Sequence, residues 1–277
     1  MNKTIKRLFT FFIGIPLVFA IVSLKYCNHL LLQICLSLFA VVGANEFYNM
    51  LSNKKALFPK SVILILTAIL PYISYLFILA GLSLEIAPWF FICESLILMA
   101  IESLFSKSFE NSVSKIAYSM LIIFYCGFLM TFLSRLTTLE NSTYIICLFL
   151  LFVFMCDSGA WFFGILFGKS TRGYIAASPN KSLVGFIGGL LASVVCGVIY
   201  VLVFNDILNF PISKVIILGF FTAFSSIVGD LIESVFKRSC NVKDSGNIIP
   251  GRGGVLDSID SILIAAPVFY IVYYFLF

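Results

Sequence analysis

Charged side chains are scarce in this chain of 277 residues. Asp, Glu, Lys and Arg together account for 11% of the residues, against about 25% in a typical soluble domain. Hydrophobic residues reach 61%, and the mean hydropathy is +1.09. This composition excludes an ordinary soluble enzyme and indicates an integral membrane protein.

Soft metal ligands are scarce as well. The chain has 1 histidine, His29, and its 8 cysteines include no C-x-x-C pair. A structural zinc site needs four ligands, mostly Cys or His, in pairs at short spacing. We therefore expect neither a zinc site nor disulfides, and we interpret the cysteines as small packing residues.

Polar stretches long enough for a soluble domain are also missing. Runs of about 20 apolar residues, the length that spans a bilayer, recur along the chain. We predict about nine such spans, at 8–24, 29–49, 61–83, 86–105, 116–136, 144–167, 183–204, 213–233 and 257–277. The expected fold class is all-α, a polytopic integral membrane protein. We treat 1–277 as a single transmembrane domain, with apolar N-terminal helices in 1–140 and catalytic helices in 144–277.

The lysines and arginines predict an orientation for these spans. With the N-terminus in the cytoplasm, most of the 18 basic residues face the cytosol, and Lys25, Arg135 and Lys214 lie on the far side. The positive-inside rule favours this arrangement. The two most polar loops, 168–182 and 234–256, then both face the cytosol. Topology and anionic headgroups account for the net charge of +5, so no nucleic-acid partner is needed.

Carboxylates interrupt the predicted spans. Asp157 lies within the sixth span, Asp230 and Glu233 close the eighth, and Asp257 and Asp260 open the ninth. A charge at the bilayer centre costs roughly 2.5 to 3.5 kcal/mol, so such residues are functional candidates by default. Each pair is three residues apart and shares a helical face. We expect the acids of the eighth and ninth spans to end near one membrane surface.

Converging acids repel each other unless cations lie between them. Oxygen ligands without His or Cys suit magnesium, which would bind together with a phosphorylated ligand. The intervening loop offers positive charge and glycines that let backbone amides approach phosphate; these residues are Lys237, Arg238, Lys243, Arg252, Gly246, Gly251, Gly253 and Gly254. This pattern indicates phosphoryl or nucleotidyl transfer. In the alternative interpretation, the acids and bases merely pair at helix ends. Glu46, Glu94 and Glu102 are scattered, and we expect structural or helix-end roles for them.

Glycine pairs also predict helix packing. Gly164 and Gly168, and likewise Gly185 and Gly189, are separated by three residues. This spacing is typical of faces where two membrane helices approach closely. Ser178 followed by Pro179 reads as an N-cap and first helical residue of the seventh span.

The stretch 234–260, SVFKRSCNVKDSGNIIPGRGGVLDSID, resembles the signature of the phosphatidate cytidylyltransferases, also called CDP-diacylglycerol synthases. Upstream, FSSIVGDLIESVFKR, SPNKSLVGFIGG and DSGAW are similar to other segments of that family. The resemblance covers about 157–261, whereas the N-terminal half agrees only in being apolar helices.

The resemblance implies transfer of a cytidylyl group from CTP to phosphatidic acid, giving CDP-diacylglycerol and pyrophosphate, with Mg²⁺ and an optional second cation, monovalent or divalent. By position, the resemblance assigns metal binding to Asp230, Asp257 and Asp260. It assigns catalytic roles to Lys237, Arg238, Lys243, Asp244 and Arg252. It assigns substrate binding to Asp157, Ser178, Lys181, Ser182, Ser234, Gly253 and Gly254.

Three positions depart from the family pattern. Arg252 replaces a His, Ser258 replaces an Arg, and Val184 replaces a Glu. One hypothesis is that Arg252 supplies the guanidinium that is lost at 258, whereas the loss at 184 has no evident compensation. These changes also leave open an inactive homologue.

Two other functions stay open. A CTP-dependent polyprenol or phytol kinase would use the same ions and release CDP instead of pyrophosphate. A transporter of a phosphorylated solute would also contain acids within its helices. We expect the chain in a bacterial inner membrane with its active site on the cytoplasmic side, and a homodimer is left open.

Overall fold

The computed structural model describes residues 13–14, 16–53, 55–83, 86–251 and 253–277. Within these residues, 8 helices are long and apolar enough to cross a membrane. They are α1 (Leu30–Ser52), α2 (Lys60–Leu79), α3 (Ile86–Phe105), α4 (Ser112–Leu136), α5 (Ser142–Leu166), α6 (Leu183–Val203), α7 (Ile212–Ser239) and α8 (Leu256–Leu276). Helix α4 contains a π-helical segment, Ile123–Phe128.

The predicted all-α class is confirmed. Each helix from α1 to α8 matches one predicted span, while the predicted span at 8–24 lies partly outside the described residues; residues 16–23 of it are helical. The only β pairings in the described part of the chain are two isolated bridges, Arg172 with Ser182 and Ile249 with Gly253.

The chain divides into two compact units. The first comprises residues 1–138 and 240–258, and the second comprises residues 139–239 and 259–277. The single transmembrane domain stays a prediction.

The first unit is built on α1, α2 and the π-helical segment of α4. Phe47 and Tyr125 are both buried and meet edge to face, with ring centroids 5.9 Å apart. A Cβ on Gly127 would stand 3.0 Å from the carbonyl oxygen of Thr67, so α4 touches the backbone of α2 there. The amide of Gln33 bonds to the hydroxyls of Ser134 and Thr137, which ties α1 to the end of α4.

The second unit packs α5 against α6 through small residues. A Cβ on Gly185 would stand 2.7 Å from the carbonyl oxygen of Ala160, and one on Gly189 would stand 2.6 Å from that of Cys156. The predicted packing face at Gly185 and Gly189 is therefore confirmed. Close backbone approach of this kind stabilises helix pairs in membranes, where burial of apolar area alone contributes little.

Helix α7 is longer than predicted. The sequence predicts a loop from 234, but α7 continues to Ser239, so Ser234, Lys237 and Arg238 are helical. Lys237 pairs with Glu233 one turn earlier, and the two basic residues lie in the last turn, where the helix dipole favours cations. The loop itself covers residues 240–255.

The predicted N-cap of α6 is wrong. The cap is Ser182, whose Oγ accepts a hydrogen bond from the N–H of Gly185 at 3.0 Å, and α6 begins at Leu183. Ser178 and Pro179 instead belong to the turns before it, where the carbonyl of Pro179 accepts a bond from Gly173. Pro is tolerated in turns as well as in the first turn of a helix, because its ring fixes φ and it has no amide donor.

We expect Gly189→Leu to lower the thermal unfolding temperature of the purified protein. The new side chain would collide with the backbone of α5, and overpacking of this kind costs about 1–3 kcal/mol. Ile187→Leu is the matched control, since Ile187 is exposed on the same helix and should leave the temperature unchanged. Equal melting of the two variants would contradict the close α5–α6 contact.

Candidate active site

The signature loop of the first unit, residues 240–255, closes on itself in a tight turn. Ile249 and Gly253 exchange backbone hydrogen bonds of 2.8 and 3.1 Å. Gly251 has φ +82° and Gly253 has φ +119°, conformations that residues with a Cβ rarely adopt. Arg252, predicted to be catalytic, lies between them and outside the described residues.

Asp257, in the first turn of α8, holds this loop. Its Oδ2 accepts hydrogen bonds from the N–H of Ser245 at 2.8 Å, the Oγ–H of Ser245 at 2.9 Å and the N–H of Gly254 at 2.8 Å. A carboxylate among donors at a helix N-terminus is stabilised by the helix dipole as well. The N–H of Gly254, expected to approach phosphate, is therefore directed at Asp257 here.

Glu46 of α1 is a part of this arrangement that the sequence analysis did not assign to the site. The side chain is buried, with 3% of the residue exposed. Its Oε1 accepts the N–H of Val255 at 3.0 Å, and its Oε2 accepts the N–H of Leu256 at 2.8 Å and the Oγ–H of Ser245 at 3.1 Å. The one sequence feature that could have pointed to Glu46 is an acidic residue within an apolar run.

Other predicted residues of the first unit lie around the loop. Lys243 and Asp244 are exposed, and Asp244 lies beside Gly253, since its Cβ would be 3.4 Å from a Cβ built there. Ser258 donates its hydroxyl to the carbonyl of Gly254 at 3.3 Å. Ser258, at the position where the resemblance predicts an Arg, thus bonds to the loop just before its own helix.

In the second unit, lysines pair with two of the predicted acids. Lys181, in the loop before α6, forms an ion pair with Asp230 of α7. Lys237 forms an ion pair with Glu233, which is fully buried. Asp230, Glu233 and Lys237 share one face of α7, because they are spaced by three and four residues.

Asp260 of α8 joins these groups. It is 7% exposed, and its Oδ1 accepts the N–H of Ser261 at 2.6 Å. Its carbonyl oxygen would be 2.8 Å from a Cβ on Gly229, so α7 and α8 approach closely there. Asp260 interacts electrostatically with Asp230, Glu233 and Asp157. We call these four residues the acidic cluster.

The remaining predicted residues of the second unit lie at the same helix ends. Arg238 is exposed, and its Nε donates to the carbonyl of Ala177 at 3.4 Å, next to Ser178. Ser182 and Ser234 are buried. The N–H of Val184 donates to Thr171 Oγ1 at 3.4 Å. The structure thus brings the loop before α6 to the C-terminal end of α7.

The acidic cluster fits a hard divalent cation by ligand type, since its side chains offer only carboxylate oxygens. Among the described residues, however, no three acidic, His or Cys side chains converge on one metal position. Asp230 and Glu233 instead bind lysine ammonium groups. A metal ion would have to take the place of at least one lysine, and Mg²⁺ stays a prediction.

The chain matches the model of the "Cytidylyltransferase family" over residues 5–276. It is 42% identical over 165 residues to the phosphatidate cytidylyltransferase of Haemophilus influenzae, which covers 57% of this chain and 56% of the relative. It is 41% identical over 163 residues to that of Thermotoga maritima, covering 57% and 58%, and 38% over 151 residues to that of Staphylococcus saprophyticus, covering 54% and 56%. The chain thus spans little more than half the length of these relatives.

We expect Asp257→Asn to loosen the signature loop. The amide presents an N–H₂ group and a neutral oxygen where the carboxylate accepts three hydrogen bonds, so backbone amides in 244–254 should exchange with deuterium at least about ten times faster. Hydrogen exchange with mass spectrometry measures this. Asp206→Asn, which changes an exposed acid elsewhere, is the control. Unchanged exchange in 244–254 would contradict the role of Asp257 in holding the loop.

Proposed function

The chain belongs to the cytidylyltransferase family, and on that premise we propose that it transfers the cytidylyl group of CTP to phosphatidic acid, giving CDP-diacylglycerol and pyrophosphate. The observation that carries the proposal is the acidic cluster with its two lysines. Such a set of charges suits a reaction between phosphates, which depends on positioning and charge neutralisation. The names of the relatives support the choice of the two substrates.

The proposed chemistry is a substitution at the α-phosphorus of CTP. A phosphate oxygen of phosphatidic acid forms the new P–O bond. The bond from the α-phosphorus to the oxygen that bridges to the β-phosphate breaks, and pyrophosphate leaves with that electron pair. Because the attacking phosphate monoester is already anionic, the protein does not need a strong general base.

In this proposal, two lysines of the second unit bind one partner without substrate and another with it. Without substrate, Lys181 and Lys237 bind Asp230 and Glu233. We propose that they turn to phosphate oxygens when substrate binds, with Arg238 adding charge at the end of the same helix. Lys243, Asp244 and Arg252 stay predicted catalytic residues, on the strength of the resemblance.

Magnesium fits this proposal by ligand type. In the second unit, Asp230 and Asp260 would hold it, and Asp257 of the first unit stays a ligand predicted from the resemblance. When bound, Mg²⁺ supplies positive charge that neutralises the triphosphate. A second cation stays a prediction.

The two substrates come from different phases. Phosphatidic acid lies in the bilayer, whereas CTP is dissolved in water, so the reaction must occur at a membrane surface. We propose the inner membrane of a bacterium and a cytoplasmic active site, because the relatives named above are bacterial and the basic residues favour a cytosolic position for the polar loops. A homodimer stays a prediction.

The test is pyrophosphate release by detergent-purified protein. We expect release to require phosphatidic acid, CTP and Mg²⁺ together, with CDP-diacylglycerol identified by mass spectrometry. Asp230→Asn should lower kcat at least about 100-fold, since it removes a charge from the acidic cluster. Asp206→Asn, at an exposed acid of the same unit, should retain full activity.

Other products would overturn the proposal. CDP formed from CTP and a polyprenol, without pyrophosphate, would identify a kinase. Uptake of a phosphorylated solute into proteoliposomes without product would identify a transporter. No product from folded protein would indicate an inactive homologue, with 184, 252 and 258 as the first positions to restore.

We expect Lys181→Ala to lower kcat/KM for CTP by about 10- to 100-fold, because one phosphate-neutralising cation is lost. Lys181→Arg should recover part of the loss, since it restores the charge with different geometry. Lys107→Ala, at an exposed lysine of another loop, serves as the control. If Lys181→Ala and Lys107→Ala behave alike in steady-state kinetics, Lys181 does not bind substrate.

A further inference from the structure

Glu46 differs from another buried glutamate of the first unit in what it binds. Glu102, 4% exposed, accepts bonds of 2.6 Å from the side chains of Ser112 and Lys115, which begin the next helix. Glu46 binds the backbone at Val255 and Leu256, about two hundred residues later in the chain. Glu102 thus stabilises a local helix pair, whereas Glu46 fixes the start of the helix that carries Asp257.

Ser245 connects Glu46 to Asp257. Its hydroxyl lies 3.1 Å from Glu46 Oε2 and 2.9 Å from Asp257 Oδ2. Its backbone N–H donates to Asp257 at 2.8 Å, and the N–H of Asp257 points back to Ser245 Oγ at 3.3 Å. The hydroxyl has one proton, so it donates to one carboxylate at a time, and both carboxylates lie within hydrogen-bond distance of the same serine oxygen.

Two glycines of the signature loop make room for Glu46. A Cβ on Gly246 would collide with Oε1, and a Cβ on Gly254 would collide with Oε2 and with Ser245 Oγ. These close approaches allow the carboxylate to reach the amides at the start of α8. Part of the glycine content of the loop thus has a cause in a residue of the N-terminal half.

We propose that Glu46 is a positioning residue for the transfer reaction, which acts through Ser245 and the first turn of α8 to fix the orientation of Asp257. An acid inside a membrane span is costly, and here the donors that compensate it come from the signature loop. The role in the reaction rests on the function proposed above. The positioning itself is a property of the folded protein and can be measured without substrate.

The experiment compares Glu46→Gln with Glu102→Gln, two amide substitutions at equally buried glutamates of the first unit. We expect Glu46→Gln to accelerate deuterium exchange in 244–256 at least about tenfold and to lower kcat about 10- to 100-fold, while KM for phosphatidic acid changes less than about twofold. Glu102→Gln should lower the unfolding temperature but leave loop exchange and kcat within about twofold.

Two further variants keep the test decisive if Glu46→Gln does not fold. Glu46→Asp keeps the charge on a shorter side chain, and we expect intermediate loop exchange and kcat. Ser245→Ala removes the hydroxyl that lies between Glu46 and Asp257 and leaves both acids in place. We expect it to reproduce most of the kcat loss of Glu46→Gln. In the double variant Glu46→Gln/Ser245→Ala the loss of kcat should be smaller than the sum of the two single losses, because part of the effect of Glu46 passes through Ser245.

Each outcome bears on one of the two proposals. Unchanged loop exchange in Glu46→Gln, or the same kinetics as in Glu102→Gln, would overturn the positioning role. Additive effects of the two substitutions would overturn the route through Ser245. If the wild-type protein makes no CDP-diacylglycerol, the proposed function fails, whereas exchange in 244–256 still decides whether Glu46 positions Asp257.

Discussion

A carboxylate buried in an apolar helical protein needs hydrogen-bond donors or a cation nearby, and the polar groups of this molecule are arranged by that need. In the first unit, Glu46 and Asp257 are surrounded by backbone amides and a serine hydroxyl. In the second, Asp230 and Glu233 are paired with lysines. Both arrangements stabilise negative charge, which is buried at Glu46 and Glu233 and half-buried at Asp230 and Asp257. The two arrangements differ in how freely the acids can change partners.

Acids held by amides are fixed, because the donors belong to the backbone and cannot move without unfolding the loop. Acids held by lysines can change partners, because an ammonium group on a long, flexible side chain can turn to another anion. At the fully buried Glu233, another cation or a proton must then take the place of the lysine. The first unit is therefore suited to keeping its carboxylates in fixed positions. The second is suited to exchanging one charged partner of a carboxylate for another. A reaction that brings two highly charged phosphates together requires both properties.

Local sequence patterns explain why most of the helices and one packing face could be predicted. Apolar runs of bilayer length predicted α1 to α8, and the spacing of Gly185 and Gly189 predicted close packing of α5 and α6. The errors also have local causes. Helix α7 continues beyond its apolar run to Ser239, where Glu233 and Lys237 pair one turn apart, and Ser182 takes the place predicted for Ser178 as a helix cap. Glu46 could not be assigned to the loop, because a contact between residues 199 positions apart leaves no trace in spacing or hydropathy.

The fit of Glu46 between Gly246 and Gly254 has an evolutionary consequence. A side chain at either glycine would collide with the Glu46 carboxylate in its present position, so these three positions are expected to change together across homologues. A homologue with alanine at 254 would need a shorter or differently placed acid at 46. A homologue without the acid would no longer require glycine at 246 and 254 for this reason. One position of the N-terminal helices would then share a constraint with the signature loop.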